Sequence, residues 1–332
     1  MSPSTVLLLL LAQAAATGDP ATLLARGTAA LQAKRLTEAR PLLEEAHRLR
    51  PEDPEAGHQL ARLLLEDEET TGRAVGLLED AVARGPGVSA YHLTLGLAYS
   101  RQASEGLFRA MGLAGKIEVE FQQAVELAPA SVPARQALHG FFMRAPGILG
   151  GSLEKAGEQA SALAALDPFA GSMAWMAIHA RRKAWAEFDQ AARLAARSAT
   201  DDKGRARLSN MLIGQGYEAL QASDTVRAAQ AFRLATEVEP SNPNTHDSLG
   251  EALIAREDWG AAEVEYRRSL ALGPDPRIAS ASHFGLGRAL EGCGDRVGAR
   301  ASYQAALAEA TDPALVKRSR ARLESLGNTP AP

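Results

Sequence analysis

The sequence predicts an all-α fold, a right-handed α-solenoid of about eight antiparallel helix pairs closed by a C-terminal helix. Three observations carry this reading. Glycines Gly216 and Gly250 fall 34 residues apart in segments of matching pattern. Small, large and small residues recur at fixed spacings inside each segment. Alanine, leucine, arginine and glutamate dominate the 332 residues, all good helix formers. No run of alternating β-branched residues argues for a strand.

The segment after Pro243 shows the pattern best, with Leu249, Gly250 and Leu253, then Ala262, Tyr266, Ser269 and Pro274. The unit before it has Gly216, Ala219, Ala228, Phe232, Ala235 and Pro240. Small residues let two helices approach. The large residue four places after the alanine fills the gap between units. The terminal proline stops the second helix because it has no N–H to give. The first unit repeats this with Gly27, Ala30, Ala39, Leu43, Ala46 and Pro51, and the next with Leu60, Ala61, Leu64, Ala74, Leu78, Ala81 and Pro86. A third has Leu95, Gly96, Tyr99, Phe121, Ala124 and Pro129, and the last Leu286, Gly287, Leu290, Ala299, Tyr303 and Ala306. The unit over 169–201 is degenerate: Ala184, Phe188 and Ala191 fit a second helix, but its first helix is off register.

This pattern resembles the tetratricopeptide repeat family, whose period is about 34 residues. The resemblance covers residues 21–307 and sets the solenoid at 19–311. It implies neighbours that stack, since one pair cannot bury its apolar face alone, and a concave groove lined by first helices. It implies a protein or peptide partner in that groove. Register places Leu97, Arg101, Gln136, Arg144, Tyr217, Asp247, Glu251 and Arg288 there. These carry both charge signs. The lysine and asparagine ring with which chaperone-binding relatives clamp a C-terminal carboxylate is not matched. After the last pair, residues 312–327 read as a capping helix, with Asp312 as N-cap, Pro313 as first residue and Gly327 as stop. Lys317, Arg318, Arg320 and Arg322 give it a basic, solvated face. Residues 328–332 read as a frayed tail.

Two units are stretched, at 101–117 and 145–151. Leu107, Met111 and Ala114 recur at helical spacing, so the first insertion extends the second helix at its N-terminal end. The second is the "RAPGILGGSLEKA" stretch. Pro146 ends a helix, Gly147, Gly150 and Gly151 permit unusual dihedrals, and Ser152 caps the next helix. Ile148 and Leu149 are expected to cover Leu107, Phe108 or Met111, a structural clasp. A phosphate-binding loop would need a lysine directly after the last glycine and a preceding strand. The Ser152–Lys155 spacing matches a Ser-x-x-Lys nucleophile motif, without the other elements of such enzymes. Similar proline–glycine turns occur in bacterial exported repeat proteins, which the segment resembles.

The chain carries no catalytic constellation, so a non-enzymatic role is expected, with no cofactor and no metal. His92, His246 and His283 each lie four residues before a repeat's glycine, and read as packing residues. His58, His139 and His179 lack partners at metal-binding spacing. The acidic run at 66–69 reads as a solvated charge cluster in a turn, and the basic run at 180–183 as a helix end where cations favour the dipole. The net charge of -4 gives no case for nucleic acid. Cys293 is the one cysteine, so no internal disulfide forms. Residues 6–11 are continuously apolar and small residues follow, which fits a signal segment over 1–18. No lysine or arginine precedes the run, which leaves an uncleaved cytosolic helix open. A run this short does not span a bilayer, so no stable membrane span is expected. The expected role is an exported, periplasmic scaffold or adaptor of the bacterial envelope. A small-molecule or transporter-associated binding component and a cytosolic adaptor are the alternatives.

Overall fold

The computed structural model describes residues 18–328. Among these there are seventeen α-helices, two short 3₁₀ turns and no strand. Eight antiparallel pairs and a final helix account for them. The pairs are α1 (Pro20–Gln32) with α2 (Leu36–Leu49), α3 (Pro54–Leu64) with α4 (Thr71–Arg84), and α5 (Ser89–Ala103) with α6 (Leu107–Leu127). Then come α7 (Val132–Arg144) with α8 (Leu153–Leu166), and α9 (Pro168–Arg182) with α10 (Trp185–Ser198). The last are α11 (Asp202–Gln221) with α12 (Thr225–Val238), α13 (Pro243–Ala255) with α14 (Trp259–Ala271), and α15 (Pro276–Gly292) with α16 (Arg296–Glu309). The closing helix is α17 (Pro313–Asn328). The chain divides within α9 into two compact units, one ending at Ala174 and one starting at Trp175. The signal expectation and the tail beyond Asn328 lie outside the described residues.

Helix starts follow one local rule. Asp19, Asp53, Asn242 and Asp275 each precede a proline and accept backbone N–H bonds from the first turn. The cap satisfies exposed donors while proline takes a place where no N–H is needed. Asp312 does the same for α17, accepting from Ala314 N at 3.0 Å. That helix runs one residue past Gly327, so the glycine does not end it.

Five of the turns inside pairs share one geometry. Lys34, Lys183, Ser223, Glu257 and Gly294 have positive φ, between 55° and 84°. In each the next residue donates back to a carbonyl five positions earlier, as Arg35 does to Ala30 at 2.9 Å and Asp258 to Leu253 at 2.9 Å. This left-handed residue is the common way to end a helix and satisfy its last carbonyls. The three pairs that depart from it, α3/α4, α5/α6 and α7/α8, are consecutive and all in the first unit.

Five of the pairs close on a glycine. A Cβ built on Gly27 would fall 2.7 Å from Leu43, on Gly96 2.6 Å from Phe121, and on Gly216 2.4 Å from Phe232. On Gly250 it would fall 2.8 Å from Tyr266 and on Gly287 2.5 Å from Tyr303. Phe121, Phe232 and Tyr303 are fully buried at these contacts. Tyr266 also meets Gly285 of the next first helix, where a Cβ would stand 2.2 Å from its ring. The ring therefore locks one pair to the next.

The second helix of the degenerate pair is joined to the second helix of the next pair by charge. Arg227 on α12 donates from Nη1 to Asp189 Oδ1 on α10 at 2.6 Å, both buried. The guanidinium lies 4.6 Å from the Trp185 ring centre and 4.8 Å from that of Phe188. Gln230 completes the Asp189 carboxylate.

The glycine contacts make a paired prediction. Gly250→Ala should destabilise the second unit by about 1–3 kcal/mol through overpacking. Gly260, on α14 with nothing within 4 Å of its added Cβ, should gain about 0.5–1 kcal/mol as alanine from helix propensity. Denaturant unfolding of both variants checks the opposite signs.

Candidate functional site

In the second unit the first helices α11, α13 and α15 lie side by side. Asp247 and Glu251 are one turn apart on α13, so they share its face. The Tyr217 hydroxyl on α11 is 3.1 Å from Ser248 Oγ on α13. Its ring meets Phe232 edge-on, with centres 5.1 Å apart. Burial, opposed by the Ser248 bond and aided by Glu251 and Asp247, pushes the Tyr217 hydroxyl up to about 12. Asp247 accepts from Ser282 Oγ on α15 at 2.6 Å. Ser282 in turn stands 2.9 Å from Ser269 Oγ, which donates to the Pro243 carbonyl at 2.9 Å. Burial raises the Asp247 carboxyl to about 6; the Ser282 bond lowers it, Glu251 raises it and Arg277 lowers it, all to a smaller extent. Arg288 on α15 is close enough to Tyr266 to oppose the upward push that burial, Asp247 and Glu251 exert on that hydroxyl. Four residues placed by register thus lie along one layer of first helices, with Ser248 and Ser282 buried behind them. The serines were not foreseen, although a hydroxyl at a position that usually holds a small apolar residue was a legible signal.

The first unit is different. Leu97 on α5 is exposed and Gln136 on α7 half-buried. Arg101 is turned to the preceding turn, donating to the Leu65 carbonyl and lying 4.0 Å from Glu68. Arg144 is exposed and folds over Gly140. Arg101 is therefore a brace for the α3–α4 turn before it is a groove cation.

The stretched segments resolve into a helix and a loop. Most of 101–117 is not a turn: only Ser104, Glu105 and Gly106 separate α5 from the 21-residue α6. The loop at 145–151 is closed by its own backbone. Gly151 N donates to Pro146 O at 3.0 Å and Ser152 N to Phe142 O at 3.0 Å. Gly150 has φ 95°, and a Cβ on Gly151 would lie 1.8 Å from the Ala145 carbonyl oxygen. Ser152 Oγ accepts from Lys155 N at 3.2 Å and so caps α8. The Lys155 ammonium reaches Glu118 Oε1 on α6 at 2.9 Å and lies over the Phe142 ring. Both residues of the Ser-x-x-Lys spacing are thus engaged in holding the loop. Ile148 takes no part in the expected apolar clasp, while Leu149 is half-buried. Ile148 is 90% exposed and Phe108 89%, with Leu107 and Met111 exposed too. The loop meets α6 nearer Glu118, more than one turn along from Met111, and the contact is polar.

The histidines are more than packing. His92 and His246 are buried and each contacts a glutamate and a proline carbonyl. His58 Nε2 is 3.0 Å from Thr94 Oγ1. His179 stacks on Trp175, with centres 5.4 Å apart. Among the described residues no group of three His, Cys, Asp or Glu side chains is placed to hold a metal ion, and no helix is long and apolar enough to cross a membrane. On α17, Arg318 lies over Phe284 and Arg322 is 3.8 Å from Glu291, so part of its basic face serves docking. Cys293 is exposed at the end of α15.

Residues 30–96 match the tetratricopeptide repeat model. The C-terminal part of a TPR repeat-containing protein from Cytophaga hutchinsonii is similar in structure, with TM-score 0.54 and 13% identity over 89% of this chain and 98% of that one. Yeast Tom70 gives TM-score 0.47 and 15% identity over 94% of this chain and 64% of its own. A tetratricopeptide repeat protein from Parabacteroides merdae gives 0.44 and 9% over 93% and 99%. The first of these likenesses shows a shared fold. No curated protein matches the sequence.

The raised Asp247 carboxyl fixes a sign. Its folded form holds the proton more tightly than the unfolded chain, so its contribution is present at acid pH and lost as pH rises through about 6. Asp247→Asn should therefore melt higher than the parent at pH 7.5, by a few degrees, and the gap should narrow at pH 5, because the unfolded carboxyl still ionises there. Thermal melts at both pH values check this.

Proposed function

We propose that this chain, a tetratricopeptide-repeat protein, is a non-catalytic scaffold that holds a peptide or protein segment on the layer of its first helices. One observation carries the reading. Tyr217, Asp247, Glu251 and Arg288 place partly exposed polar groups on three successive first helices. Stacked repeats offer such a surface as an extended site, where a peptide meets side chains from several helices in turn. Glu251 is exposed beside the Tyr217 hydroxyl and can meet a partner, while Asp247 and Tyr217 are fixed from behind.

A photo-crosslinking side chain at position 251 should capture a partner in the native host. The same group at Val264, exposed on α14, should not. Equal capture from both positions would remove the groove from the reading.

We place the scaffold in the bacterial envelope. The support is the apolar run at 6–11 followed by small residues up to Ala16. Intact mass of the protein from its host should then show a mature chain beginning between residues 14 and 18. A retained Met1 on soluble cytosolic protein would favour the cytosolic adaptor.

A further inference from the structure

Two buried histidines occupy the same place in their pairs. His92 is the fourth residue of α5 and His246 the fourth of α13. His92 Nδ1 lies 2.7 Å from Glu120 Oε2 on α6, and its Nε2 2.9 Å from the Pro86 carbonyl. His246 Nδ1 lies 2.7 Å from Glu265 Oε2 on α14, and its Nε2 3.0 Å from the Pro240 carbonyl. In both cases the glutamate immediately precedes the ring packed on the repeat's glycine, and the proline stands six residues back. Each imidazole therefore ties its helix to the second helix of its own pair and to the chain arriving from the pair before.

The four atoms of each bridge count protons. Carbonyl and ionised carboxylate oxygens only accept, and a neutral imidazole donates once. A neutral ring beside an ionised glutamate would set a bare nitrogen against an oxygen in one of the two contacts. Both contacts are hydrogen bonds only when the bridge holds one further proton. Arg135 shows independently what this position requires. It is the fourth residue of α7, and its Nε donates to the Pro129 carbonyl, six residues back, at 2.7 Å. Its Nη1 donates to Gln159 Oε1 on α8 at 3.0 Å. There the double donor is permanently charged. His283 is the contrast. Ser302 precedes Tyr303 in place of a glutamate, the residue six back is Arg277, and Glu309 is 3.9 Å away.

We propose that His92 and His246 are proton-dependent latches between successive helix pairs, closed when the bridge holds its extra proton and opened as the medium turns alkaline. The charged and titratable neighbours are consistent with this. Glu120 on α6 is the acid within 4 Å of His92. From α3, Glu55 and His58 meet Tyr91 and Thr94 instead. His246 faces Glu265 from α14. Glu239, before α13, is bonded to Asn242, and Asp247 on α13 itself turns to Ser282. Because Asp247 also titrates, His92 is the cleaner site.

Hydrogen exchange on the full chain, corrected for the intrinsic pH effect, tests the latch at α5 and α6. Protection there should fall roughly tenfold between pH 6 and pH 8.5, the loss expected for one charge-assisted bond. His92→Arg, which copies Arg135, should hold protection level across that range. Glu120→Gln should also flatten it, because its amide can donate to a neutral ring. Should His92→Arg not fold, the Glu120→Gln comparison decides alone. Unchanged protection in the parent, or an equal fall in Glu120→Gln, would overturn the proposal.

Discussion

A glycine on the first helix, facing a large side chain on the second, sets the spacing on which the rest of this structure depends. Removing Cβ lets the Phe121, Phe232, Tyr266 and Tyr303 rings come within a distance no other residue would permit. That fixes how far apart two helices stand, and the short left-handed turns can then close them. It also fixes the pitch of the first-helix layer, since Tyr266 touches glycines of two successive first helices. The polar surface on α11, α13 and α15 exists because those helices are held at that pitch. Where the contact is missing, something else must substitute. In the degenerate pair, Gly171 instead meets the backbone of Ala164 on α8, and the α10–α12 contact carries the buried Asp189–Arg227 pair.

Close approach is also what the stretched loop is for. The Lys155 end of the Lys155–Glu118 ion pair is half exposed, and partly exposed pairs contribute little, about 0–1 kcal/mol. Geometry contributes more. Gly151 sits where any Cβ would strike the Ala145 carbonyl, and Gly150 holds a φ that other residues rarely adopt. The turn is therefore fixed by its own backbone, and the ion pair only records where it lands on α6. What it leaves uncovered is an edge with Phe108 and Ile148 in water.

The sequence made the local features legible and the long-range ones less so. Proline after an aspartate, glycine at a 34-residue interval and helical spacing through Leu107, Met111 and Ala114 each act within one element or one pair, so they could be read. The landing point of the loop could not be read, because neither Ile148 nor Leu149 indicates which turn of α6 it will meet. His92 and Glu120 are 28 residues apart, and His246 and Glu265 19. Nothing local marks either pair as partners, so the rings passed for packing residues. Arg101 could be placed on the groove face by register, but its length allowed it to reach back to Leu65. Register predicts where a side chain starts, not where a long one ends.

The first-helix layer of the second unit also shows why its polar surface is unlike ordinary solenoid packing. Ser248, Ser269 and Ser282 are fully buried, in positions where alanine would fill the same space without a polar atom. A buried hydroxyl costs about 1–3 kcal/mol unless it is bonded. Here each is bonded: Ser269 donates to the Pro243 carbonyl, Ser282 donates to Asp247, and Ser248 pairs with the Tyr217 hydroxyl. The consequence is rigidity: Asp247 has one direction in which it is satisfied, and Tyr217 is pinned by Ser248 on one side and Phe232 on the other. A surface whose polar groups are already oriented loses less conformational freedom when a partner arrives. Burial, the same condition that raises the Asp247 carboxyl, thus also fixes its direction, so proton affinity and orientation in this layer have one physical origin.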